Sequence, residues 1–443
     1  MSVRYLAVLG AGVAFSMAAC SGASTTAGQP AAADTASGGD AAEPTDGSDG
    51  TDGTDGTDAT DGTDATDATD AGDSSDGDPF AGNNSCATSG ECKAGQGCHG
   101  NVCVAEPADE VRLTDNATDN FVEEPPNLDC VDAAPADVPG AETATIYGIV
   151  DRFGDGRKTI DIEVSVFPAS EWPPKWADGD KAGQPCVDET DLAAMHTCFN
   201  TANPSNPKWV VKSTDPGTEK EGTECAFLEQ LETCGAGYEC IEVSSIVMEC
   251  EPSFGLYEVP EVPTDTPLVV RSVTRDPLLQ KKWKDTYAYN TIVLSEHLEE
   301  GGRFRLNALM VSDGQWATIP NTLQVPGGIK KNNGAVGGRV RDCPSAGRRG
   351  YTLKEAAVGL ATPGSATGYF NDNELDTVPL RDRKATDRYG RFTIVDVKAG
   401  PNRLAGVVRS GGAVTSLGSE EFFLPPNSLV VLTLPGKLPI FNK

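Results

Sequence analysis

Ile146-Tyr-Gly148-Ile-Val150 and Ile160-Asp-Ile162-Glu-Val164-Ser-Val166 are the stretches that decide the fold of this chain. In both, the apolar positions fall every second residue. That period puts one set of side chains on each face of an extended strand and does not fit a helix. Ile146, Gly148 and Val150 share one face, and Ile160, Ile162, Val164 and Val166 share another. Gly154-Asp155-Gly156 lies between them and supplies the residue types that turns require, so the pair predicts a hairpin of a half-buried sheet. Outward from this pair the pattern repeats as short alternating strands broken by Gly, Pro and Asp. Units of about a hundred residues built this way predict an all-β, Ig-like β-sandwich fold.

The C-terminal third carries Gly338-Arg-Val340-Arg-Asp342, then Gly390-Arg-Phe392-Thr-Ile394-Val-Asp-Val397-Lys-Ala-Gly400, Leu404 to Arg409 and a closing run Leu429 to Leu434. These residues resemble the carboxypeptidase-regulatory-like, transthyretin-type β-sandwich, which opens on Gly-x-Val-x-Asp and continues with Gly-x-aromatic-x-aliphatic-x-x-Val. An earlier, split copy opens with Gly148-Ile149-Val150-Asp151 and resumes at Gly255-Leu-Tyr257-Glu-Val259-Pro-Glu-Val262-Pro263. The resemblance implies two sandwiches, 142–300 and 333–443, the first interrupted by a cysteine-rich insertion at 170–253, with 301–332 as connector. It also implies a non-catalytic role, because in that family the domain is an appendage of the enzyme.

The N-terminus sets the expected address. Arg4 and the amino terminus supply a positive n-region, Tyr5 to Phe15 form an apolar stretch, and Met17-Ala18-Ala19 precede Cys20. This is the layout of a secretory signal, and the apolar stretch is well short of the roughly 20 residues needed to cross a bilayer. The segment 1–20 resembles the bacterial lipoprotein signal, with Met17 in place of the commoner Leu. By that resemblance Cys20 becomes the first mature residue, thioether-linked to diacylglycerol, and Ser21 in place of Asp favours the outer membrane. Cleavage as an ordinary signal is the alternative.

From 21 to 79 there is no Val, Ile, Leu, Met, Phe, Tyr, Trp or Cys, and an Asp recurs every third residue from Asp46 to Asp76. Such a segment has nothing to bury and repels itself, so residues 21–80 are expected to form an extended, solvated tether. Its span is roughly 45 Å by coil scaling. The Asp ladder lacks the converging ligands and closing Glu of a calcium loop. With 66 acidic against 35 basic residues and a net charge of −31, the chain has no footprint for nucleic acid, which needs basic patches.

Beyond Cys20 there are twelve cysteines, Cys86, Cys92, Cys98, Cys103, Cys130, Cys186, Cys198, Cys225, Cys234, Cys240, Cys250 and Cys343. None sits in a Cys-x-x-Cys pair, so zinc ribbons and thioredoxin-like redox sites are excluded and structural disulfides are expected. Residues 81–104 hold four of them in a Gly-rich segment that looks like a small EGF- or Dickkopf-type module, with three pairings open. Cys92-Lys-Ala-Gly-Gln-Gly-Cys98 is echoed by Cys234-Gly-Ala-Gly-Tyr-Glu-Cys240, which predicts that Cys225, Cys234, Cys240 and Cys250 form an enlarged second copy. An acidic linker, 105–141, follows the first module.

Catalytic groups are scarce. The three histidines, His99, His196 and His297, lie far apart in sequence. His297-Leu-Glu-Glu300 has the His-x-x-Glu spacing of a zinc carboxypeptidase, yet no later His can be the third ligand. Gly-x-Ser-x-Gly, the P-loop pattern and His-Glu-x-x-His are absent. Asp372-Asn-Glu374-Leu-Asp376 reads as an acidic turn ahead of a calcium loop. Trp172-Pro-Pro-Lys-Trp176 is a stiff loop bearing two indoles, a candidate ligand-contact site against the commoner fate of Trp in a core. No catalytic residue, metal site or cofactor is expected. The sequence points to an envelope lipoprotein that displays sandwich and disulfide modules. Its partners would be the membrane, through its lipid, and a protein ligand, or a glycan in a carbohydrate-binding alternative. A hydrolase is the least supported class.

Overall fold

The computed structural model describes residues 78–435, apart from 116–117, 132–141, 154–157, 189, 227–232, 245–246, 277, 281, 344–349 and 374–377. The signal-like segment with Cys20, nearly all of the tether, the Gly154-Asp155-Gly156 turn and the end of the Asp372 loop lie outside the described residues.

The fold is all-β. Its spine is an eight-stranded sheet in the spatial order Ala366–Tyr369, Arg391–Lys398, Asn333–Val340, Leu429–Leu434, Thr286–Ile292, Pro267–Val273, Glu163–Pro168, Val210–Lys212. Neighbours are antiparallel except at Leu429–Leu434, which runs parallel to both of its partners and joins strands drawn from two parts of the chain. One half of this sheet is faced by a five-stranded sheet built around Thr143–Phe153, which pairs with Leu256–Pro263, Arg303–Arg305 and Ala308–Ser312. Between them lies a core that includes Ile146, Val150, Ile162, Val164, Val166, Val259 and Phe304. The other half is faced by Ala357–Leu360, Gly400–Ser410 and Ala413–Leu424, over Val336, Val340, Phe392, Leu404, Phe422 and Leu432. Each such side chain contributes about 1.5–3 kcal/mol when fully buried, so alternation in sequence converts directly into two packed layers.

Two motif glycines play the same part in the two halves. A Cβ on Gly148 would stand 2.1 Å from the Leu306 carbonyl oxygen, and one on Gly338 would stand 1.7 Å from that of Leu432. In both places a neighbouring segment crosses too close for any side chain.

The expected hairpin between 146–150 and 160–166 is not formed. Ile146 and Val150 enter the core from one sheet, while Ile162, Val164 and Val166 enter it from the facing one. Period-two alternation fixes which face is buried but not which strand is the neighbour, and a turn followed by a second strand serves a sheet-to-sheet crossing equally well.

Two segments expected as linkers carry structure. Residues 301–332 supply two strands to the five-stranded sheet and a helix, Asp313–Thr322. Within 105–141, Arg112–Asp115 and Asn120–Val122 form a small sheet with Thr352–Lys354, and Cys130 is bonded to Cys343.

Candidate functional site

All twelve cysteines of the body are paired: Cys86–Cys98, Cys92–Cys103, Cys130–Cys343, Cys186–Cys198, Cys225–Cys240 and Cys234–Cys250. Sulfurs of Cys86, Cys92 and Cys103 crowd together, as do those of Cys225, Cys234 and Cys250. Because they are oxidised in bridges they do not offer the thiolates a soft metal would need.

The insertion is the most chemically loaded surface. Its helix, Leu192–Thr201, starts at Asp191, whose carboxylate accepts from the Ala194 backbone N–H at 3.0 Å, the usual N-cap arrangement. Met195, Cys198 and Phe199, spaced three and four apart, turn one face inward, and the Cys186–Cys198 bridge ties the preceding loop to that face. Beneath it, Arg271 is wholly buried and donates to the Phe199 carbonyl at 2.7 Å, to Ser165 Oγ at 3.0 Å and to Glu163 at 3.2 Å. Arg275 reaches the same Glu163 carboxylate at 2.8 Å. Burial pulls the Arg271 pKa down and holds the Tyr287 phenol far above its ordinary value, so the hydroxyl stays protonated. A buried cation matched by a carboxylate, a hydroxyl and a carbonyl secures the insertion to the sheet. The sequence carries a signal for this in hindsight: Arg271 interrupts Leu268-Val-Val-Arg-Ser-Val273, every residue of which is buried.

Trp172 and Trp176 flank this region. The Trp172 indole is surrounded by Phe167, Phe199, Tyr287 and Tyr289 at centroid distances of 5.1, 5.4, 5.6 and 5.9 Å. Its N–H donates to the Tyr289 hydroxyl, which donates on to the Phe423 carbonyl at 2.6 Å. Trp176 packs over the Cys186–Cys198 cluster, with the Lys181 ammonium 5.7 Å from its ring. Both indoles are half-buried and engaged with the protein.

The three histidines stand in three different settings. His196 stands 3.5 Å from the Asp285 carboxylate at the edge of the Arg271 network. His99 is in the first disulfide module, where desolvation lowers its pKa. His297 ends a short 3-10 turn, Ser295–His297, beside Glu296 at 3.5 Å, and the backbone is already extended at Leu298, so the spacing to Glu300 does not run along a helical face. The Asp372 carboxylate is tied to Lys354, to Arg383 at 3.3 Å and to the Arg388 backbone N–H at 2.9 Å. No protein-family model matches this chain, and no curated protein matches it either.

Proposed function

We propose that this protein is an exported bacterial lipoprotein, held at the outer membrane or cell surface through Cys20, whose body serves for binding rather than for turnover. The observation that carries this reading is the cysteine pairing. Of thirteen cysteines, twelve are paired with one another in six bridges, and the one left over is the residue that closes the lipobox-like segment. Bridges of this density belong to an oxidising compartment. The acidic segment between Cys20 and the body then acts as a spacer. Support for carboxypeptidase-regulatory-like sandwiches comes from Gly148 and Gly338, which share one structural role at corresponding motif positions.

The contact surface we propose is the insertion, which Arg271 fixes to the sheet and the Cys186–Cys198 bridge ties to its own helix. Trp172 is engaged by four aromatic neighbours, which favours a protein partner over a glycan stacked on open indoles. The reading is tested by mass spectrometry of the mature N-terminus together with proteolysis of intact cells. A diacylglyceryl-modified Cys20 and a protease-sensitive body are expected; an unmodified Cys20 in a soluble secreted product would sink the anchor.

A further inference from the structure

Five of the six bridges join cysteines 11 to 16 residues apart, whereas Cys130 and Cys343 are 213 apart. The loop that this bridge closes contains the first sandwich, the insertion and the strand Asn333–Val340. The short bridges staple hairpins and a helix to themselves. Cys130–Cys343 instead ties the segment after the small sheet to a distant part of the C-terminal half.

Its two sulfurs are unlike. Cys343 is 1% exposed, while Cys130 is half-buried and follows the exposed Asp129. The Cys130 backbone N–H donates to Cys343 Sγ at 2.9 Å, and no other cysteine sulfur accepts a hydrogen bond among the described residues. In thiol–disulfide exchange the attacked sulfur takes the incoming thiol and the other departs as thiolate. The reaction is fastest where the attacked sulfur is reachable and the departing one is stabilised. Burial alone would make a Cys343 thiolate costly, and the N–H aimed at it offsets that cost.

The remaining ties on this segment are local. The Cys343 N–H donates to the Asn127 carbonyl at 2.8 Å, the Asn127 N–H to the Asp342 carboxylate at 3.1 Å, and Leu128 lies against the C-terminal core. Opening the bridge leaves residues 123–131 on these contacts alone and unpairs no strand.

We propose that Cys130–Cys343 is a reducible clamp that holds the segment 123–131 to the C-terminal half, while the five short bridges are structural. The reductant is a dithiol, the chemical class of the thiol–disulfide oxidoreductases. One of its thiolates attacks Cys130 Sγ, the Sγ–Sγ bond breaks, and Cys343 leaves as a thiolate that takes up a proton. The second thiol of the reductant then displaces Cys130 as a thiol, so two electrons and two protons pass to the protein and the reductant becomes a disulfide. The clamp needs neither the lipid nor a partner, so its failure would leave the display reading untouched.

Exchange with a monothiol tells the two sulfurs apart. The full chain is treated with 2-mercaptoethanol without denaturant, quenched with iodoacetamide and mapped by peptide mass spectrometry. A mercaptoethanol adduct on Cys130 with alkylated Cys343 is expected, about tenfold faster than the opening of any short bridge. With dithiothreitol, Cys130 and Cys343 should both be alkylated before any other cysteine. The double variant Cys130→Ser, Cys343→Ser reproduces the open clamp and should speed amide exchange across 123–131 about tenfold, with Leu113 and Val336 still protected. If that variant fails to fold, the monothiol adduct and its rate decide alone. The proposal is overturned by an adduct on Cys343 with Cys130 alkylated, by a short bridge that opens as fast, or by unchanged exchange across 123–131 in the double variant.

Discussion

In the segment Cys86 to Cys103 and again in Cys225 to Cys250, the first cysteine bonds the third and the second bonds the fourth. In both, the third and fourth face each other across a hairpin, Cys98 opposite Cys103 and Cys240 opposite Cys250. The mountings differ. The first hairpin presses Val102 and Val104 into a cluster with Ala357, Ala361, Ala405 and Val407, and Asn84 adds bonds of 2.9 Å to the carbonyls of Cys103 and Leu360. In the second, Glu239 meets the buried Arg152 guanidinium, which also donates to Ser253 Oγ at 2.6 Å and lies over the Phe254 ring. The same stapled unit is thus held once by apolar burial and once by a charged pair.

The strongest way to break the comparison is to remove the staples. Replacing all four cysteines of the second hairpin with alanine is expected to cost about 5 kcal/mol and to erase amide-exchange protection across 238–252. The same change in the first hairpin should leave Val102 and Val104 protected, because their core persists. Equal loss in both would show that the mounting does not matter.

Next in size is a pH effect beside the second mounting. Asp151 is buried next to Arg152, and burial raises its pKa to about 7, with Glu239 adding to the rise and Arg152 opposing it. The folded chain therefore keeps a proton that the unfolded chain gives up near pH 4. This contribution is present in full below about pH 4 and is lost as pH rises through about 7. Asp151→Asn should stabilise the protein by about 4 kcal/mol at pH 8 and by little at pH 4, read from urea midpoints. A pH-independent difference would remove Asp151 from the account.

Val104→Ala, the matched probe of the first mounting, is expected to cost about 2 kcal/mol at every pH, measured by the same midpoints. The smallest effect belongs to Arg403, which holds Glu421 and Asp78, both at 2.6 Å, where the described body begins. With Asp78 and Glu421 each largely open to solvent, Asp78→Asn should cost under about 1 kcal/mol, and 1 M salt should abolish the difference.

Much of the fold was legible because strands advertise their buried face. Leu429–Leu434 has the bounds its alternation gives, and the glycines at 148 and 338 sit where a neighbour closes in. Pairing was less legible. Four cysteines permit three connectivities at any spacing, and the two strands expected to form a hairpin share a core without touching in a sheet. A pocket beside the helix Asp313–Thr322 was invisible for a further reason: Phe153, Trp316 and Phe370 meet only in three dimensions, and the motif that contains Arg391 gives no sign of the cavity beside it. Trp172 shows the reverse limit, since two indoles on a Pro-rich loop describe a platform and a core equally well until Phe167, Phe199, Tyr287 and Tyr289 are placed around one of them.

The parallel strand Leu429–Leu434 sits in the middle of the spine yet is the last described strand along the chain. A growing polypeptide therefore presents the edges of Thr286–Ile292 and Asn333–Val340 with nothing between them until residue 434 has emerged. Chains made N-terminus first tend to fold unit by unit as they appear. Here the seam between the two halves is closed by a strand made after both of its partners, so a ribosome-stalled or truncated chain lacking that strand would expose two unpaired sheet edges at once, the kind of surface on which chains stick to one another.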